Sequence, residues 1–276
     1  MPSDKTFPTI QEIREAHSWK REYEKWLPIS RFVFRPLGFL ATWAAIRFRL
    51  TTEEISWLSA AVGLAGCLCL IAGRGNFLPL GLVLLFLFNL LDCVDGSLAR
   101  ATRTENPYGR FLDSICGGII DQAFWAIIGV TAFQSPDLLY WPKAFGYGPL
   151  LWLAVGITTC YLFVLVGYLE KTFNDVLRTP WEKIRLRSLG KEKDRSLTED
   201  DERMSESLTE SKLRLVIRII NNNIRVRETH YFLLLFAVYY RTIDLLLAFY
   251  LVYYLSNTVL LLIIYSKRGK IIRKFY

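Results

Sequence analysis

The chain has 276 residues, of which 52% are apolar, 14% aromatic and 22% charged, and it carries a formal net charge of +8. Its mean hydropathy of +0.25 is too high for an ordinary soluble domain of that charge content unless apolar and charged residues are segregated along the chain. They are, which excludes a disordered, collagenous or disulfide-stapled secreted chain and argues against a single soluble globule.

Residues 9–26 have helical spacing, with Ile10, Ile13, His17 and Trp26 set among Glu, Lys and Arg. Residues 31–49 are more apolar but carry Arg31, Arg35, Arg47 and Arg49 beside Trp43 and several Phe, a composition that suits a helix lying in the membrane interface. Thr51-Thr52-Glu53-Glu54 then reads as a helix start, with Thr as cap and acids in the first turn.

About 20 apolar residues at a rise of 1.5 Å cross a hydrocarbon core of roughly 30 Å. Spans are predicted at 55–72, 77–98, 110–132, 149–168, 224–240 and 245–265. Of the 34 Lys and Arg, only Arg74, Lys143 and Arg241 fall in the short connections on one side. All the others lie on the opposite side or at its boundary, so the positive-inside rule puts both termini in the cytoplasm. Topology thereby accounts for the basic balance, and nucleic acid is not an expected partner. Cys67, Cys69, Cys93, Cys116 and Cys160 all fall in apolar spans and read as small packing residues. The polar stretch 170–223, with balanced acids and bases, reads as a cytoplasmic loop. Arg241 with Asp244 reads as an exposed turn on the outer side, and Tyr239, Tyr240, Tyr250, Tyr253 and Tyr254 as interface belt and packing.

One region breaks the membrane pattern. Leu90 to Asp121 reads LLDCVDGSLARATRTENPYGRFLDSICGGIID. It places Asp92 and Asp95 at i and i+3, on one face at the end of a span, and Asp113 at the start of the next span. Ionisable groups at membrane depth are costly and mark function. Three converging acids repel one another and call for a divalent cation, and all-oxygen ligation favours magnesium, manganese or calcium. Gly96 and Ala99 keep the space beside the acids small-sided, and Arg100 closes the same helix with a fork of donors suited to phosphate.

The run Asp92-x2-Asp95-Gly96-x2-Ala99-Arg100, eight residues, then Gly109-x3-Asp113 resembles the signature of the CDP-alcohol phosphatidyltransferases. The resemblance implies a dimeric integral membrane enzyme. Such an enzyme binds a CDP-linked alcohol and two divalent cations, Mg2+ or Mn2+, on the cytoplasmic side. It transfers the phosphoalcohol to an acceptor hydroxyl and releases CMP. By that resemblance Asp92, Asp95 and Asp113 match metal-binding aspartates, Gly96 and Ala99 the small residues beside the nucleotide, and Arg100 and Gly109 the rest of the pattern. The fourth aspartate of the pattern is absent: Gly117 stands there, followed by Gly118. The next acid, Asp121, is about 12 Å beyond Asp113 along a straight helix and is a candidate for a displaced base. Arg225 and Arg227, at the cytoplasmic start of the fifth span, are candidates for holding a phosphate, and His230 is a further candidate base.

The expected fold is an all-α integral membrane protein of six transmembrane helices with an interfacial amphipathic N-terminal helix. Residues 1–54 form the N-terminal segment, 55–266 the transmembrane catalytic domain with 170–223 inserted, and 267–276 a basic cytoplasmic tail. The expected membrane is a cell or inner membrane, or one of endoplasmic-reticulum type, with the site facing the cytoplasm. The competing expectation is a non-catalytic membrane module that keeps the fold and a nucleotide or lipid site, motivated by Gly117. A transporter built on the intramembrane acids is disfavoured, because paired broken helices and a second acidic half are missing.

Overall fold

Two threonines set the first helix starts. Thr9 Oγ1 accepts from the Glu12 amide at 3.3 Å and the Glu12 carboxylate accepts from the Thr9 amide at 2.6 Å. Thr51 and Glu54 repeat this reciprocal box at 3.2 and 2.8 Å. The computed structural model describes residues 8–17, 25–73, 76–141, 148–181 and 212–273, with side chains from 215 onward in the last segment. All its regular elements are helical. They are α1 (Ile10–Ala16), α2 (Arg35–Arg47, entered through a π-helical turn at Ser30–Phe34), α3 (Thr52–Ala72), α4 (Phe77–Thr102) and α5 (Pro107–Gln134). After these come α6 (Pro149–Phe173), α7 (Lys212–Arg225), α8 (Arg227–Tyr239) and α9 (Ile243–Ile272).

Five helices are long and apolar enough to cross a membrane: α3, α4, α5, α6 with its continuation to Trp181, and α9. The expected span at 224–240 takes another form. Val226 has an extended backbone (φ −76°, ψ 136°) that separates α7 from α8, and α8 has 13 residues, about 20 Å at 1.5 Å per residue. The expected loop at 170–223 is helical at both ends, through the continuation of α6 and through α7, and 182–211 lie outside the described residues. So do 18–24, in the middle of the N-terminal helix expected over 9–26, and 274–276 of the tail. The rest of the basic tail continues α9 to Ile272.

The chain divides into two compact units, and the boundary falls within α5. The first comprises residues 1–123 with 207–240. Here α2 lays Ala45 and Ile46 against Ile13 of α1, Ile55 of α3, and Val94 and Leu98 of α4, and all six are buried. The opposite side of α2 exposes Leu37, Leu40 and Trp43, and Phe32 just before the helix is also exposed. Apolar exposure in α2 is thus one-sided. The α4–α5 turn closes on Arg103 in the left-handed region (φ 55°). Asn106 then caps α5, its Oδ1 accepting the Gly109 amide at 2.7 Å, with Pro107 in the first helical position.

The second unit comprises residues 124–206 with 241–276. Trp125 is fully buried against Tyr250, ring centroids 4.1 Å apart, and Tyr254, 6.1 Å, whereas Tyr239 and Tyr240 are exposed. A Cβ on Gly156 would stand 2.5 Å from the Gly129 Cα, so the α5–α6 crossing is closed to any side chain. Asp244 corrects the expectation of an exposed turn. It is fully buried and accepts the Tyr140 and Trp141 amides at 2.9 and 2.7 Å, pinning the segment after α5 to the start of α9. The acid is inside because two backbone donors need a buried acceptor.

Candidate active site

The acids of the Leu90–Asp121 region lie on two neighbouring helices of the first unit. Asp92 and Asp95 are one turn apart near the end of α4. Asp113 is exposed on the second turn of α5, and Gly117 and Asp121 follow it at successive turns. Asp95 is 3% exposed. Its Oδ2 accepts the Ser56 hydroxyl of α3 at 2.8 Å, and its Oδ1 accepts the Gly96 amide. The charges of Asp113 and Asp92 both act on Asp95, and all three act on the Cys116 thiol. The three acids of the motif therefore share one electrostatic environment. Among the described residues, however, no three Asp, Glu, His or Cys side chains converge as they would around a bound ion.

Two of the acids, Asp92 and Asp121, are instead engaged by Arg227, the first residue of α8. Its Nε and Nη2 donate to the two oxygens of Asp121 at 2.7 and 2.8 Å, and its Nη1 pairs with Asp92 Oδ2 at 2.8 Å. The guanidinium lies over the Phe88 ring, 4.7 Å from its centroid. A Cβ on Gly117 would meet Arg227 Nη2 at 2.8 Å and Asp92 Oδ1 at 3.4 Å. The position at which the family pattern carries its fourth carboxylate is thus filled by a guanidinium from another helix. That guanidinium joins Asp92 to Asp121 across the glycine. The sequence marks Arg227 as a candidate for holding a phosphate but not as a partner of Asp121, because 106 positions separate the two.

Arg100 is also engaged within the protein. Its Nη2 lies 3.1 Å from His17 Nδ1, at the end of α1. A guanidinium only donates, so this contact assigns Nδ1 as acceptor and leaves the ring proton on Nε2. A Cβ on Gly96 would stand 3.4 Å from Arg100 Nη1, so the space over Gly96 is the space the guanidinium occupies. Ala99 is half-buried and its carbonyl accepts the Thr104 amide at 2.9 Å. Arg225 ends α7, half-buried, one residue before the break. His230 is buried, and its Nε2 lies 2.9 Å from the Ile224 carbonyl oxygen, a contact in which the ring donates.

Sequence reading gave no site role to Ser56, His17, Arg35 or Glu228. Ser56 holds Asp95 and His17 holds Arg100. The charges of Arg35 and Glu228 act on Cys93, beside Asp92. A Ser within an apolar span is a weak sequence signal, since such hydroxyls commonly return to their own helix.

A family model described as CDP-alcohol phosphatidyltransferase matches residues 49–184, which takes in α3 to α6 and the whole motif region. A curated relative from Thermococcus kodakarensis, a bifunctional IPC transferase and DIPP synthase, is 24% identical over 125 residues. The match covers 45% of this chain and 25% of that protein, so the chain spans about a quarter of its relative's length. No solved structure matches the chain. With its motif acids on adjoining turns of α4 and α5 and the family match running through both helices, the segment 49–184 of the chain is identified as a CDP-alcohol phosphatidyltransferase family region.

Proposed function

We propose that the chain transfers a phosphoalcohol group from a CDP-linked alcohol to an acceptor alcohol, with release of CMP, at the α4–α5 acids. The observation that carries the reading is Asp95: a carboxylate 3% exposed, oriented by Ser56 and the Gly96 amide, and sharing its surroundings with Asp92 and Asp113. An acid fixed this firmly beside two others is arranged for a cationic or cation-bound ligand, not for packing. The acceptor oxygen would form a bond to the distal phosphorus of the diphosphate. The bond from that phosphorus to the bridging oxygen would break, CMP would leave with the electron pair, and the acceptor proton would pass to a carboxylate of the cluster.

The residues fit one divalent cation, Mg2+ or Mn2+, rather than a pair held by four acids. Asp95 and Asp113 would hold it, and substrate phosphate oxygens would supply ligands the protein does not. When bound, the cation neutralises charge on the diphosphate and on the leaving CMP. Gly96, Ala99 and Gly109 keep the surrounding helix surfaces low. Arg100 would reach a phosphate by exchanging its His17 contact, and Arg225 is a further phosphate candidate at the end of α7. Asp121 serves chiefly to anchor Arg227, because both of its oxygens already accept from the guanidinium. The expected setting is a multi-pass membrane protein, homodimeric, with the site on the cytoplasmic side and lipid biosynthesis as its context.

A second reading is favoured by one specific observation, the guanidinium standing at Gly117. It is a non-catalytic module that binds a CDP-alcohol or lipid without turning it over. Purified protein incubated with a CDP-alcohol panel, an acceptor mixture and Mg2+ or Mn2+ separates the two. CMP release that requires both metal and acceptor supports the enzyme. Metal-dependent binding without CMP release supports the module.

A further inference from the structure

We propose that Arg227 is the built-in counter-cation of Asp92 and Asp121. Gly117 makes room for it, and the acid cluster therefore takes a single exchangeable divalent cation instead of two. The placement of Arg227 is independent of the proposed reaction. What the single cation does there rests on that reaction.

Three geometric facts carry the inference. Arg227 engages three carboxylate oxygens at once, Asp121 Oδ1 and Oδ2 and Asp92 Oδ2, each within 2.8 Å. The two Asp121 oxygens accept charge-assisted hydrogen bonds, Asp92 Oδ2 is held by charge alone, and this fixed positive charge between the two carboxylates opposes a second cation there. The side chain has one face on the Phe88 ring and its Nη2 against Gly117, which fixes its position as well as its charge. Finally, a Cβ at 117 would stand 2.8 Å from Nη2, so any side chain there requires the guanidinium end to shift from its present position.

The chemistry follows from charge and geometry. A guanidinium is permanently charged and presents a planar fork of donors that matches a carboxylate edge. It supplies fixed positive charge that no chelator removes. Asp95 and Asp113 lie outside this fork, and the charge of Asp113 acts on Asp95. They are the pair left to a cation whose other ligands come from water or substrate.

The test is Mn2+ binding to the full chain purified in detergent, with free Mn2+ counted by electron paramagnetic resonance. The set is wild type, Arg227→Lys, and the double variant Gly117→Asp/Arg227→Ala. The expected result is about one Mn2+ per chain for wild type and for Arg227→Lys, which keeps a cation in place, and about two for the double variant, which exchanges guanidinium for carboxylate. Two Mn2+ in wild type, or none, overturns the proposal whether or not a variant folds. So does a monodisperse double variant that still binds one. CMP release from the same wild-type preparation separates this proposal from the reaction. One Mn2+ without CMP release keeps Arg227 as counter-cation and overturns the enzymatic reading. Two Mn2+ with CMP release does the reverse.

Discussion

Arg227 and Asp121 meet through two parallel N–H···O bonds of 2.7 and 2.8 Å that tie the first residue of α8 to the middle of α5. Arg227→Ala would leave two carboxylates beside the buried Phe88 with no partner. Breaking a buried pair by removing one member costs about 3–5 kcal/mol, and the Asp121 side chain is 30% exposed, so the loss expected here is about 2–3 kcal/mol. Thermal unfolding in detergent micelles measures it. Arg227→Lys should lose less, because one ammonium keeps the charge but not the bidentate fork. Equal stability of Arg227→Ala and wild type would contradict the clamp.

Gly117→Leu is expected to destabilise by about 1–3 kcal/mol, the usual cost of forcing bulk into a filled site. It should also lower CMP release at least tenfold, since the new side chain would displace the guanidinium at 2.8 Å. Gly117→Ala, whose Cβ meets the movable end of Arg227, should be milder in both respects. A Leu variant as active and stable as wild type would show that position 117 faces empty space.

Asp95→Asn should abolish cation-dependent nucleotide binding while leaving the protein folded, because the Asn oxygen can still accept the Gly96 amide and its NH2 can donate to the Ser56 hydroxyl, which keeps the Thr52 carbonyl as acceptor. The check is CMP affinity with and without a chelator. Nucleotide affinity that is unchanged in the variant, or insensitive to chelator in wild type, would remove the metal from the site. Asp121→Asn is expected to keep measurable CMP release but lose stability through the weakened Arg227 pair. Complete loss of turnover in a stable Asp121→Asn protein would instead identify Asp121 as the proton acceptor.

Asp244→Ala should cost about 3 kcal/mol, since it strands two backbone donors that the buried carboxylate now accepts at 2.9 and 2.7 Å. Asp244→Asn should recover part of this through its remaining carbonyl acceptor. Both values come from unfolding in micelles. A change below about 0.5 kcal/mol, the size of an ordinary surface substitution, would place water rather than Asp244 on those amides.

The charge asymmetry predicts that single cysteines at Lys5, Arg195 and Arg273 label only from the cytoplasmic side. The five native cysteines lie within the apolar helices. Labelling of position 5 or 273 from the outside would overturn the six-crossing arrangement and would leave α8 as a helix that does not cross.

Local and one-dimensional features were legible in the sequence. The Thr51–Glu54 cap, five of the six apolar spans and the i, i+3 pair Asp92 and Asp95 depend on residue type and helical period, both of which are printed in the chain. The same holds for the absence of an acid at position 117. What pairs across sequence distance was not legible. Arg227 reads equally as a flanking charge, a phosphate ligand or an ion-pair partner, and only the approach of α8 to α5 brings its fork onto Asp121 and Asp92. Asp244 beside Arg241 has the composition of an exposed turn, yet the fold buries it because the Tyr140 and Trp141 amides need an acceptor. Within the span expected at 224–240, hydropathy sums side chains, whereas the break at Val226 is a backbone conformation that no hydropathy window registers. The sequence by itself determined which groups are present and on which helical face they stand. The tertiary structure alone decided which charge neutralises which, because Coulomb energy and hydrogen-bond geometry depend on separation in space and not on separation along the chain.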